Sequence, residues 1–365
     1  MSDEASVTSV SSDNTAFKNR PFISTLRSPN ILLFGILSAS GASLRLCIAA
    51  CIIKFFPTSL WVMTSDVLLA NIVGSSIAGY VKGAALARSV DERLRDDSAS
   101  VQSRAQASGT VLSDLTLHTA STTSNLSQNR HSIPSSEILD YCYLLALAGS
   151  CTSYGSMMTF ALTLFVNPSY VNPSVSPLAF EAFSDCVFSI VASIVISAGS
   201  FRFFLYFGRV VPVQLRLKYL FLFGSLSPLL LGAILLATSG ELTFSLKSDL
   251  FSVLFAPIGV FLRAILAEKC NSKKRRVKYI GTLIANILGT FTTSVIQGYY
   301  FNNPEILALT ALSNGFASSL STVSTFVGEI EGEEVEGNSI GYTSITIVST
   351  IGTSFLGLFV GGWRV

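Results

Sequence analysis

Apolar residues gather along this chain in nine runs separated by polar stretches, at 31–53, 61–81, 141–165, 178–201, 217–238, 250–267, 279–297, 305–327 and 339–363. A helix needs about 20 mostly apolar residues to cross the hydrocarbon core of a bilayer. The pattern therefore predicts an all-α polytopic membrane protein with nine transmembrane helices and the lipid bilayer as its solvent. Two long stretches interrupt it. Residues 1–30 and 84–138 are rich in Ser, Thr, Arg and Asp and poor in aromatics. Such segments bury too little apolar surface to order themselves, so disorder is expected in both. No apolar segment precedes Ile31, so no cleaved signal peptide is expected.

Composition removes most chemistry. Half of the 365 residues are hydrophobic and 13% are charged, against about 25% charged in a soluble domain. Both histidines, His118 and His131, fall in the polar linker, which leaves none for a triad or a zinc site among the spans. The six cysteines form no CxxC pair and read as small buried apolar residues. A net charge of +2 offers no field for nucleic acid, and no nucleic-acid partner is expected. Glu181 and Asp185, near the start of the fourth run, read as interfacial, and no catalytic carboxylate pair, no nucleophile–base pair and no phosphate-binding glycine loop appears, so no enzyme is expected.

Charge placement orients the spans. With nine helices, nineteen of the 24 Lys and Arg residues fall on one side, three on the other, and Arg45 and Arg263 within spans. Basic residues favour the cytoplasm, which places the N-terminus inside and the C-terminus outside. The chain also repeats itself weakly. GASLR (41–45) matches GVFLR (259–263), LLANIVG (68–74) matches LIANILG (283–289), and GSCTSYGSMMTF (149–160) matches GFASSLSTVSTF (315–326). Equivalent spans are five helices apart, so the second copy enters the membrane upside down. Two inverted four-helix repeats, 31–201 and 241–365, are then joined by a single linker helix within 202–240. Inverted repeats place transport sites near the midplane, where the copies meet.

The run 313–325 is dense in Ser and Thr, including Ser318, Ser321, Thr322, Ser324 and Thr325. Small hydroxyl residues pack helices together. At this density they also suit a broken helix whose freed backbone groups bind an ion. Asn71 and Asn286 recur in both copies, as do Arg45 and Arg263. An amide offers two donors to an anion. A buried Arg is paired, functional or snorkelling to the interface. Ser189, Ser193 and Ser197, and Thr343, Thr346 and Thr350, each line one helix face. Glu329 stands three residues beyond Phe326 on the same face, apart from the rest of an acidic loop.

These motifs resemble the CrcB/Fluc fluoride channels: GxxxR in the first helix, an Asn motif followed by Gly in the second, and SLSTVSTF in the third. Two such units joined by one helix resemble the fused fluoride export (FEX) branch. The resemblance implies a passive fluoride-selective channel exporting cytoplasmic fluoride across the plasma membrane, with no organic cofactor and, by fusion, a monomer. It implies that the third helix breaks and that backbone carbonyls there hold a structural sodium ion, at Thr152 and Gly155 and at Ser318 and Ser321. Two phenylalanines would present ring edges to fluoride. The second matches Phe160 and Phe326, while the first falls on Met157 and Val323. Of the two pairings, Met157 with Phe326 is favoured over Val323 with Phe160, because copy two keeps the fuller motif, and the pore asparagine matches Asn71 and Asn286. A coupled inverted-repeat transporter of another small solute is the main rival. It would need a titrating acid in the membrane, for which only Glu329 is available. A membrane scaffold using the basic linker is the third reading.

Overall fold

The computed structural model describes residues 28–55, 61–110, 140, 142–166, 179–211, 244–271, 278–300, 306–334 and 339–363. The fifth predicted span and the polar tail lie outside them. Among the described residues there is no strand, and six helices are long and apolar enough to cross a membrane. They are α1 (Ser28–Phe55), α2 (Trp61–Thr110), α5 (Ala179–Val210), α6 (Phe244–Cys270), α7 (Ile280–Tyr300) and α10 (Ser339–Val360).

Two further helices are broken. In the first, a π turn (Tyr143–Ala148) runs into Gly149–Cys151, together α3, and the chain resumes as α4 (Tyr154–Val166). In the second, Leu307–Ala311, a π turn (Leu312–Ala317) and Ser318–Leu320 make α8, followed by α9 (Val323–Glu334). Thr152 and Ser321 are extended at the two breaks. The order of turns is the same in both.

That anatomy fixes a register of 169 residues between the broken helices, three more than the sequence match suggests. The residues packed against them agree. A Cβ on Gly41 would meet the Leu147 carbonyl and one on Gly259 the Phe316 carbonyl, while Gly74 abuts Ala148 and Thr152, and Gly289 abuts Ala317 and Ser321. Thr152 thus corresponds to Ser321, Tyr154 to Val323, Gly155 to Ser324, Met157 to Phe326 and Phe160 to Glu329. Pairing Met157 with Val323 and Phe160 with Phe326 is corrected accordingly. The shared Thr-Phe at 159–160 and 325–326 is coincidental.

The broken helices sit centrally. Tyr154, Met158, Val323, Phe326 and Val327 are fully enclosed in the largest apolar cluster. Outside, Val195, Leu254 and Val348 are more than half exposed, an apolar surface suited to lipid. A second correction concerns 84–110, where disorder is expected. There α2 continues unbroken to Thr110. Ala-rich sequence and opposite charges four apart (Asp91 with Arg95, Arg93 with Asp97) sustain a helix with no core to bury. Arg88 pairs with the buried Asp140 carboxylate, pinning this extension to the start of α3. Burial pushes the Asp140 carboxyl up, and Arg88 opposes the shift.

Close backbone approach yields a prediction. Gly259→Ala drives a Cβ into the Phe316 carbonyl, whereas Gly352 has nothing within 4 Å. The first substitution should lower the melting temperature of detergent-solubilised protein by several degrees, and Gly352→Ala should leave it unchanged.

Candidate functional site

A helix break inside an apolar bundle frees backbone groups that must find partners in the protein. The recurring residues supply them. Asn71 Oδ1 accepts the Ser153 N–H at 2.9 Å, and Asn286 Oδ1 accepts the corresponding Thr322 N–H at 2.8 Å. Arg45 donates to the carbonyls of Ser150 (3.1 Å) and Asn314. Arg263 donates to those of Ser319 (3.1 Å), Gly149 (3.3 Å) and Leu145. In the 169 register, Ser150 corresponds to Ser319 and Leu145 to Asn314. Arg45 therefore holds a carbonyl beside the first break and one in the second π turn, and Arg263 a carbonyl beside the second break and one in the first π turn.

The breaks also touch each other. Thr152 Oγ1 lies 2.9 Å from Thr322 Oγ1 and 3.2 Å from Ser324 Oγ, and the Gly155 N–H donates to Ser321 Oγ at 2.9 Å. Ser156 and Ser318 hydroxyls are 2.7 Å apart. Thr325 is half-buried, its N–H directed at Thr322 Oγ1.

From this junction two polar rows run between helix pairs, one between α7 and α10 and one between α2 and α5. In the α7–α10 row, Thr282, Asn286, Thr290 and Ser294 are buried opposite Tyr342, Thr346, Thr350 and Ser354. Thr343, expected on this face, is half-buried beside it. At one end Glu329, 8% exposed, accepts from Thr282 and from Tyr342 (2.6 Å). At the other, Ser294 joins Ser354 (2.6 Å) and Thr159 (2.7 Å). Midway an aromatic series forms. The Tyr154 and Phe326 rings meet edge to face at 5.2 Å and 76°, and Phe326 meets Tyr342 at 5.7 Å. The Tyr154 hydroxyl faces Thr350 without a hydrogen bond of ordinary geometry. Asn286 Nδ2 and Thr290 Oγ1, one turn apart and fully buried, also have no hydrogen-bond partner.

The α2–α5 row differs. Asn71 Nδ2 donates to Ser193 Oγ at 3.2 Å. Val67 stands where the other row has Thr282, and Phe160, half-buried, stands where it has Glu329. Met157 takes the place of Phe326. The sequence reading of this site omits Tyr154, Thr282 and Tyr342. Thr282, one turn before Asn286, is legible as the first residue of TLIAN (282–286), and Val67 masks it in the other copy.

Fold and site define a polytopic helical membrane protein built around two contacting broken helices and a buried polar row. A family profile described as CrcB-like protein, Camphor Resistance (CrcB), matches residues 250–362. A protein named fluoride-specific ion channel FluC from Cupriavidus pinatubonensis is 31% identical over 114 residues, which cover 30% of this chain and 86% of that protein. Its namesake from Ralstonia pickettii is 32% identical over 116 residues, 30% of this chain and 87% of that protein. Fluoride export protein 1 of Candida albicans is 38% identical over 100 residues, 24% of this chain and a quarter (25%) of that protein's length. No solved structure matches. The chain belongs to the CrcB family, and it is a multi-pass membrane protein.

The arginine contacts predict a stability test. Arg263→Met removes the side-chain donor to three buried carbonyls, and a buried carbonyl left unpaired costs about 1–3 kcal/mol. It should abolish monodisperse protein in size-exclusion chromatography. Arg263→Lys, a single point donor, should recover only part of the yield.

Proposed function

We propose that this protein is a passive fluoride channel of the plasma membrane, exporting fluoride from the cytoplasm, and not an enzyme. The carrying observation is the unpartnered Asn286 Nδ2, a buried donor on the α7–α10 row beside the enclosed Phe326. Fluoride is small and strongly hydrated, so it needs donors in series to replace its water. Amide N–H, rotatable hydroxyls and the positive edges of aromatic rings are such donors. The row offers them in order, with Glu329 at one end and Ser294 and Ser354 at the other. The fluoride channels among the relatives support the same substrate.

One row conducts. The pathway is lined by Asn286, Phe326, Thr346 and Thr350, with Thr322, Ser324 and Thr325 at the junction, and Tyr154 replaces Met157 as the aromatic partner of Phe326. Asn71, its amide nitrogen tied to Ser193, serves the scaffold of the other row, as do Met157 and Phe160. The architecture is two inverted four-helix repeats, 31–201 and 241–365, joined by a linker helix within 202–240. Nine spans then put the N-terminus in the cytoplasm and the C-terminus outside, and fusion of both repeats makes the protein a monomer. The common anatomy of the two broken helices supports this reading.

A structural sodium ion fits the junction. The groups meeting there are oxygens, and the extended backbone at Thr152 and Ser321 turns carbonyls out of the helical direction. Their carbonyls would hold the ion, with Gly149 and Ser318 one turn earlier. In the 169 register Ser318 corresponds to Gly149, which takes the place of Gly155 in this set. The ion would supply fixed positive charge where the two repeats meet. An inside-negative potential, worth about 2.3 kcal/mol per charge per 100 mV, drives the anion outward without coupling.

Fluoride efflux from liposomes tests the reading, with chloride as the control. Wild type should release fluoride rapidly without a proton gradient. Asn286→Asp and Phe326→Ile should each cut the rate at least tenfold, while Ser193→Ala should retain most of it. Proton-dependent flux would move the coupled transporter to first place. No fluoride flux from monodisperse protein would sink the channel.

A further inference from the structure

The α2–α5 row is polar for part of its length and then stops. Contacts between α2 and α5 follow a register of 122 residues: Asn71 meets Ser193, and Gly79 packs on Phe201. Ser75 and Ser197 lie between these pairs, both fully buried, and neither hydroxyl has a hydrogen-bond partner. Beyond them the chemistry changes. In the α7–α10 row the corresponding end is the hydroxyl trio Thr159, Ser294 and Ser354. Here the same three places hold Gly328, Gly79 and Phe201.

Gly328 makes room for the ring, and Gly79 for the backbone that carries it. A Cβ on Gly328 would sit 3.3 Å from the Phe201 ring, and one on Gly79 would strike the Phe201 carbonyl. Phe201 is 1% exposed and belongs to the main apolar cluster. Lys82 covers it from outside. Its Nζ donates to the Gly328 carbonyl at 3.2 Å and lies 5.6 Å from the Phe201 ring centroid. A hydrated anion moving along this row would leave Ser197 and meet the buried Phe201 side chain where the other row offers hydroxyls.

We propose that Phe201 is a plug that closes the α2–α5 row at this end, seated against Gly79 and Gly328 and capped by Lys82. It leaves the row as a dead end, so that ions use the α7–α10 row alone. The assignment rests on the channel reading, but its test does not. Ser197→Cys places a thiol one turn inside the plug. Modification of that thiol by a charged methanethiosulfonate is followed by peptide mass spectrometry on solubilised protein, so the native cysteines do not interfere.

With Phe201 intact, or in the Phe201→Leu background, the introduced thiol should stay unmodified. Phe201→Ser should speed its modification at least tenfold. Lys82→Met, which leaves the ring in place, should raise it by a smaller factor and serves if the serine variant does not fold. Rapid modification with Phe201 intact overturns the proposal, as does unchanged slow modification in both Phe201→Ser and Lys82→Met. Ring-dependent modification in a protein without fluoride flux would keep the plug and sink the channel, so the two failures are separable.

Discussion

A helix cannot stop inside a membrane without leaving backbone donors and acceptors to be satisfied, and lipid satisfies none of them. This requirement organises the molecule. The N–H groups freed at Ser153 and Thr322 go to Asn71 and Asn286. Carbonyls around the π turns go to Arg45 and Arg263, each buried and each spending its charge on oxygens of both broken helices. Glycines at 41, 74, 259 and 289 bring neighbouring backbones close enough for these bonds to form. Because each arginine reaches across, neither half of this arrangement is complete alone. That gives a physical reason for both halves to be kept in one chain.

In the channel proposed above, scaffolding and conduction make separate demands on the same residues, and the two rows meet them differently. Both asparagines use their carbonyl oxygen for the break. Only Asn71 also uses its amide nitrogen, on Ser193, while Asn286 keeps that donor unspent. The break therefore constrains an asparagine in both copies without constraining what lies along the row. Positions serving the row alone have diverged: Thr282 against Val67, Glu329 against Phe160, Phe326 against Met157. A repeated Asn thus marks the frame of the fold, and in the channel proposed above its neighbours distinguish a pathway from a remnant.

What could be read from the sequence followed the same division. Spans, hydroxyl density and recurring Asn and Arg are strong local signals, and the described helices lie where the apolar runs predict. Two things were not legible. The α2 extension looks like disorder because it has no apolar face, but local helix propensity and charge pairs need none. The register of the broken helices is obscured in the sequence by the repeated Thr-Phe, which outweighs a subtler marker. That marker is the adjacent hydroxyl pair at each break, Thr152–Ser153 and Ser321–Thr322. A slip of three residues nearly completes a helical turn, so apolar patterning scarcely resists it. It hid Tyr154 as the neighbour of Phe326. Tyr342 was hidden for a different reason: Thr343 beside it was the more obvious hydroxyl.

The hydroxyls of the α7–α10 row add a last consideration. Thr346 donates to the Tyr342 carbonyl at 2.9 Å and Thr350 to the Thr346 carbonyl at 2.7 Å. Those carbonyls belong to a helix and already accept a backbone N–H, so each hydroxyl bond is a secondary one. Rotating such a hydroxyl toward an anion strands no backbone group. Asn286 needs no rotation at all, since its donor is already unengaged. The row thus combines one fixed donor with several that turn at little cost. A strongly hydrated ion is best served by such a set: deep enough to replace water at each step, and loose enough at each step to let the ion go.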